Sequence, residues 1–210
     1  MGNRCYIAGA GEFSGRILPE RGDFVIAADA GYLELVSRSI TPDLVVGDFD
    51  SLGRIPENAS IALSPAEKDD TDLMLAVKQG LARGYTTFII DGVLGGRLDH
   101  TMANIQILAY IANKGAQGLL LGRDICMTAI SNATVKFISG ACGYISVFSA
   151  GSVADGVTMD GLKYTLINST LTYDNPIGVS NEFTGMPATI SVKNGVIIIA
   201  WTGEPGFLNL

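Results

Sequence analysis

A chain of 210 residues, 48% apolar and 17% charged, can bury a sizeable core as one large domain or two small ones, and its composition is not that of a disordered chain. Its net charge of −7 argues against sequence-independent binding to DNA or RNA. It does not argue against a small phosphate-bearing substrate, since a divalent cation can bridge aspartates to phosphates.

Along the first ~125 residues, short apolar runs alternate with helical patterns. The runs are Cys5–Ala8, Phe24–Ala28, Leu44–Val46, Ile61–Leu63, Thr87–Ile90 and Gly118–Leu121. One helix is expected from Leu73, with Ala76, Val77, Gly80 and Leu81 on one face and Gly84 as its stop. A second is expected over about Thr101–Asn113, with Met102, Ile105, Ala109 and Ala112 on one side. Such alternation predicts a mostly parallel sheet with helices on both faces.

From about Thr128 the helical periods disappear. Strands are expected at Thr134–Ile138, Tyr144–Phe148, Leu162–Leu166, Ser169–Tyr173, Ala188–Val192 and Val196–Trp201, with Gly, Asn, Asp and Pro between them. Lys193-Asn194-Gly195 is a hairpin signal. This half reads as a smaller antiparallel β-sandwich or barrel. The expected fold class is therefore α/β followed by β, divided into domains 1–127 and 128–210. Trp201 ends an apolar strand and reads as core in preference to a ring-stacking residue.

Cys5, Cys126 and Cys142 are scattered, no apolar run reaches the ~18 residues of a membrane helix, and no export signal is visible. A cytoplasmic protein with reduced thiols is expected, with neither a membrane nor a nucleic acid as partner.

The polar residues of the first half gather just after the apolar runs, where open parallel sheets bind ligands. Asp29 follows Phe24–Ala28, and Asp48 and Asp50 follow Leu44–Val46. Asp69, Asp70 and Asp72 open the helix at Leu73, while Asp91, Arg97, Asp99 and His100 follow Thr87–Ile90. Acids in a first helical turn also serve as caps, so Asp69–Asp72 fit that role too. Asp48 and Asp50 flank Phe49 and repel unless a cation or solvent separates them, which favours metal binding. Gly95-Gly96-Arg97 suits an anion, with backbone N–H groups and a bidentate guanidinium. There is neither a Walker-type loop nor a dinucleotide fingerprint.

The ordered set "DAGY", "PDLVVGDFDS", "EKDDTD", "GGRLDH", "GVTMDGLKY" and "GVSNEF", spanning Asp29 to Phe183, resembles the bacterial thiamine pyrophosphokinases. The resemblance implies a catalytic α/β domain and a smaller β domain that contributes to thiamine binding and dimerisation. It implies transfer of diphosphate from ATP to thiamine, with Mg²⁺ as cofactor and a homodimer with shared active sites. Asp29, Asp48, Asp50 and Asp72 would hold the metal, and Asp72, Asp69 and Asp50 are the candidates for catalysis. Gly95, Gly96, Arg97, Asp99, His100 and Lys68 would bind ATP; Thr71, Ser180 and Asn181 would bind thiamine. The chain departs from the family pattern at Met74, where an acid is expected, and at Gly122-Arg123-Asp124 after the sixth run. Two alternatives stand beside this reading. One is a haloacid dehalogenase-type phosphatase with Asp48 as nucleophile, since "LVVGDFDS" is an apolar strand ending in Asp-x-Asp. The other is a non-catalytic thiamine or nucleotide sensor.

Overall fold

The computed structural model describes residues 4–47, 60–63 and 70–208. The chain divides into two compact units, Met1–Asn104 with Leu120–Arg123, and Ile105–Leu119 with Asp124–Leu210. It is a mixed α/β fold with a largely parallel sheet, helices, and a smaller antiparallel sheet.

In the first unit, β1 (Cys5–Ala8) pairs in parallel with β2 (Phe24–Ala28) on one side and β5 (Thr87–Asp91) on the other. Beyond β2 lie β3 (Leu44–Gly47) and β4 (Ser60–Leu63), both parallel. All four residues of β1 and of β3 are buried, as a sheet covered on both faces requires. The expected helix at Leu73 is α2 (Asp72–Ala82). Its Gly80 packs so closely on the sheet that a Cβ would stand 2.6 Å from the Phe88 ring and 2.9 Å from Cys5 Sγ. Burial on that face pushes the Cys5 thiol up to about 12. Tyr6 points to the other face, where its hydroxyl donates to Ile17 O at 3.1 Å. Arg38, the C-cap of the short helix α1 (Gly31–Ser37), lies near that face and packs over the Phe13 ring at 4.7 Å. α2 ends as expected, with Gly84 at φ +86 and Tyr85 N–H donating to Gly80 O.

α3 (Leu98–Asn113) starts three residues before its expected position, so Asp99 and His100 fall in its first turn. It leads to β6 (Gln117–Leu121). In the second unit, β7 (Ile125–Ser131), β9 (Tyr144–Ser149), β12 (Asn181–Glu182) and β14 (Val196–Thr202) pair antiparallel in the order β12-β9-β14-β7. β8 (Thr134–Phe137), β10 (Val153–Asp160), β11 (Leu166–Thr172) and β13 (Ala188–Ser191) form the smaller sheet, in the order β11-β10-β13-β8. The expected hairpin at Lys193-Asn194-Gly195 is not one. It carries the chain from β13 in one sheet to β14 in the other, tied by Gly195 N–H to Asn132 Oδ1 at 2.8 Å. The expected strand at Leu162–Leu166 begins only at its last residue, Leu166; Leu162 forms an isolated bridge with Phe183. Trp201 is core: it is 1% exposed, edge-on to Phe137 at 5.3 Å, and donates Nε1–H to Glu204 O at 3.1 Å. Among the described residues, no helix is long and apolar enough to cross a membrane.

Candidate active site

The carboxyl ends of β1, β2, β3 and β5 lie side by side in the parallel sheet of the first unit, and the sequence builds a tight corner at each. After β2, Asp29 takes a left-handed conformation, φ 51, which short polar side chains tolerate best after glycine. Its N–H donates to Val46 O at 2.8 Å and its carbonyl accepts from Tyr32 N–H at 3.2 Å, so the corner is fastened to β3 and to α1. Gly31 opens α1 directly against β1, where a Cβ would stand 2.1 Å from Ala8 O. Gly47, opposite, brings β3 within 3.3 Å of the Asp29 Cα, measured from its own would-be Cβ. The motif "DAGY" is thus a strand-to-helix corner that sets one aspartate at the sheet edge.

Thr71 is the N-cap of α2, its Oγ1 accepting from Met74 N–H at 3.2 Å. Asp72 is the first helical residue and is half-buried. Asp70 pairs with Lys78 at 2.6 and 2.8 Å, so that carboxylate serves as an ion-pair partner along the helix. Asp48, Asp50, Lys68 and Asp69 lie outside the described residues. Among the described residues, no three His, Cys, Asp or Glu side chains gather into a metal cluster.

At the end of β5 the structure departs from the expected rim. Asp91 is fully buried, and its carboxylate accepts four hydrogen bonds, from Ser14 N–H, Ser14 Oγ–H, Gly15 N–H and Gly92 N–H, at 2.7–2.9 Å. It is a loop anchor, its carboxylate occupied by donors of the chain itself.

Gly95 and Gly96 follow with φ +83 and +66, conformations that glycine adopts freely. The loop is tied to α3 by Asn104 Nδ2–H to Val93 O at 2.7 Å and by Thr101 Oγ1–H, shared between Gly95 O and Arg97 O. Residues 95–100, including His100, are exposed. Arg97 and Asp99 form a two-pronged pair, Nε to Oδ1 at 3.2 Å and Nη2 to Oδ2 at 2.6 Å. The hydrogen bond from Arg97 is the main cause that holds the Asp99 carboxyl down at about 2, and Asp99 raises the guanidinium in turn. The two residues singled out separately for ATP are therefore one unit in this loop.

In the second unit, Ser180 is exposed with φ +59, its N–H donating to Ser146 Oγ at 3.1 Å. Among the described residues its hydroxyl has no partner. Asn181 is 3% exposed: Oδ1 accepts from Tyr164 N–H and Glu182 N–H, both at 2.9 Å, and Nδ2 donates to Tyr164 O at 2.6 Å. The resemblance implies a thiamine contact for Asn181; in the fold its side chain serves the backbone of Tyr164 and Glu182.

A largely parallel sheet with an aspartate corner and a glycine-arginine loop at its carboxyl edge, followed along the chain by antiparallel strands, defines a protein of the mixed α/β class. The comparisons narrow the class. The family model "Thiamin pyrophosphokinase, catalytic domain" matches residues 17–119, and "Thiamin pyrophosphokinase, vitamin B1 binding domain" matches residues 132–197. The chain is 31% identical over 188 residues to the thiamine pyrophosphokinase of Bacillus subtilis, covering 83% of this chain and 85% of that one. The crystal structure of the thiamine pyrophosphokinase from Bacillus subtilis superposes with a TM-score of 0.82 at 25% identity, covering 95% of this chain and 98% of the other. A thiamin pyrophosphokinase family protein from Enterococcus faecalis gives 0.82 at 28% identity, covering 96% and 99%. The chain belongs to the thiamine pyrophosphokinase family.

Proposed function

We infer that this chain transfers the diphosphate group of ATP to the hydroxyl of thiamine, giving thiamine diphosphate and AMP. The observation that carries this is the match of both family domains in order, catalytic and vitamin-B1-binding. The geometry supports it. Five non-glycine residues among those described have positive φ, and two of them, Asp29 and Ser180, were singled out for binding on sequence grounds. Backbone held in a sparsely populated region is a marker of functional positions. Neither the phosphatase nor the sensor alternative gains support from the described residues.

The roles follow from chemistry. Residues 1–127 form the catalytic, ATP-binding part, and residues 128–210 contribute to thiamine binding and dimerisation. Asp29 and Asp72, with Asp48 and Asp50, are hard oxygen donors, the kind that suits Mg²⁺, and would hold it. When bound, Mg²⁺ neutralises phosphate charge and orients the polyphosphate. Gly95 and Gly96 offer backbone N–H groups to phosphate, and Arg97, with Lys68, balances charge on the transferred group. Asp99 and His100 complete the nucleotide loop. Asp72, Asp69 or Asp50 accepts the proton of the thiamine hydroxyl as it attacks the β-phosphorus. The acidic edge also attracts the cationic thiazolium ring. Thr71 and Ser180 offer hydroxyls to the neutral parts of thiamine, and Asn181 acts through the segment it holds.

The protein is a cytoplasmic homodimer in this reading. Tyr144 and Tyr164, each 59% exposed, and Ile177, 53% exposed, offer apolar surface on the second unit for the other subunit. The deciding assay incubates the protein with ATP, thiamine and Mg²⁺ and follows nucleotide products. AMP with thiamine diphosphate is expected; ADP with thiamine monophosphate, or no thiamine-dependent turnover, would overturn the assignment.

A further inference from the structure

Asp91 is the one fully buried carboxylate among the described residues, and none of the roles proposed above falls to it. It sits on the last residue of β5, and everything it binds belongs to two loops at the ligand edge of the sheet. One oxygen accepts from Ser14 N–H at 2.8 Å and Gly92 N–H at 2.7 Å; the other accepts from Ser14 Oγ–H at 2.8 Å and Gly15 N–H at 2.9 Å. The same loops touch through their backbones. Gly9 N–H donates to Asp91 O and Gly11 N–H to Gly92 O, and a Cβ on Gly9 would stand 2.6 Å from Gly92 O. Further along, Tyr6 Oη–H holds Ile17 O, and burial, then the Asp91 charge, push its ionisation up, so it stays a donor. Segment 9–17 is thereby pinned across the ends of β1 and β5. Its Glu12 reaches the nucleotide loop: Oε2 lies 3.6 Å from where a Cβ of Gly95 would be.

We propose that Asp91 is a positioning residue for the nucleotide site, its buried carboxylate fixing segment 9–17 against the Gly92–Arg97 loop so that the loop is preformed for ATP. This rests on the ATP reading given above. A buried carboxylate is costly unless its acceptor sites are filled, and here four donors fill them. Removing the acceptor orphans N–H groups of Ser14 or Gly15, and the segment must shift to rehydrate them. The cost then falls on the ligand that uses the adjoining loop, not on thiamine.

The test measures ATP affinity by calorimetry with Mg²⁺ on the full chain, and KM for each substrate, in Asp91→Asn, Ser14→Ala and Ser14→Thr. Asp91→Asn keeps one accepting oxygen and the volume but turns an N–H donor toward Gly15. It is expected to weaken ATP about tenfold, and Ser14→Ala about threefold, as befits charge-assisted bonds felt at one remove. KM for thiamine should stay within about twofold, and Ser14→Thr, which retains the hydroxyl, should restore ATP binding. Should Asp91→Asn fail to fold, Ser14→Ala with its Thr rescue decides. Unchanged ATP affinity in the folded variants, equal weakening of both substrates, or no rescue by Thr would overturn the proposal. A wild-type chain that binds ATP but yields no AMP would sink the reaction assignment and leave this inference to the affinities. A wild-type chain that does not bind ATP would sink both.

Discussion

Asp29 carries two separable properties, a charge and a backbone conformation, and three substitutions divide them. Its φ of 51 is paid for by its place in the corner, with N–H to Val46 O at 2.8 Å and carbonyl to Tyr32 N–H at 3.2 Å. Asn tolerates the left-handed region as Asp does and keeps both backbone bonds, so Asp29→Asn should cost the fold less than Asp29→Ala. Ala at that φ costs about 1–2 kcal/mol, and Gly costs nothing sterically. For a chain of this size each kcal/mol moves Tm by about 2–4 °C, so Asp29→Ala should melt about 2–8 °C lower than Asp29→Asn. All three lose the carboxylate. Loss of a metal ligand removes several kcal/mol of transition-state stabilisation, so turnover should fall roughly a thousandfold in each. Thermal unfolding and the AMP-release assay at saturating Mg²⁺ give the two readouts. Near-normal turnover in Asp29→Asn would refute the ligand role. Equal Tm for the Ala and Asn variants would refute the backbone argument.

Gly31→Ala drives a Cβ to 2.1 Å from Ala8 O, backbone against backbone, and so should cost about 2 kcal/mol or more despite the better helix propensity of Ala. A Tm drop of about 4–8 °C with loss of turnover is expected, and an unchanged Tm would refute it. The Asp99 carboxyl, held at about 2 by Arg97, should titrate there by NMR, and Arg97→Ala should return it toward the ordinary ~3.9 while raising KM for ATP more than for thiamine. Because the folded value is depressed, the pairing favours the fold above about pH 4 and this is lost as pH falls toward 2; a wild-type midpoint near 3.9 would remove the ion pair from the argument.

The strands of the first unit were legible because burial on both faces turns a strand into a continuous apolar run. Cys5–Ala8 and Phe24–Ala28 are β1 and β2 to the residue. α1 was not legible, being seven residues long with Leu33 and Val36 half exposed, which blurs any helical period. β10 was hidden by Asp155-Gly156, a turn signal that the structure uses as an irregularity within the strand, with Gly156 at φ +68 and shifted register to β11. The position of Asp29 could be read because a polar residue closing an apolar run must lie at the sheet edge. The role of Asp91, on the same pattern, could not. Whether a strand-end acid faces solvent or accepts Ser14 and Gly15 N–H groups depends on a loop 76 or 77 residues earlier, and no local signal reports that pairing.

Ser180 and Asn181 show how a correct choice of residue types can conceal a division of labour. Both are polar and adjacent, and both suit an aminopyrimidine by inventory. In the fold only Ser180 presents an exposed side chain with an uncommitted hydroxyl, on a left-handed residue held by Ser146. Asn181 makes three hydrogen bonds, two of which satisfy both backbone groups of Tyr164. Ser180→Ala should therefore raise KM for thiamine with little change in Tm, because the hydroxyl has no partner among the described residues. Asn181→Ala leaves the N–H and C=O of Tyr164 without those partners, in bonds that are only part-buried. At roughly 1–3 kcal/mol for each group not rehydrated, Tm should fall by several degrees along with thiamine affinity. Asn181→Asp separates the terms further, since it keeps the acceptor for Tyr164 N–H but sets a carboxylate against Tyr164 O, where the amide donor stood at 2.6 Å. It should be no more stable than Asn181→Ala. If Asn181→Ala weakens thiamine without any change in Tm, Asn181 contacts the substrate itself, and the clamp on Tyr164 is incidental.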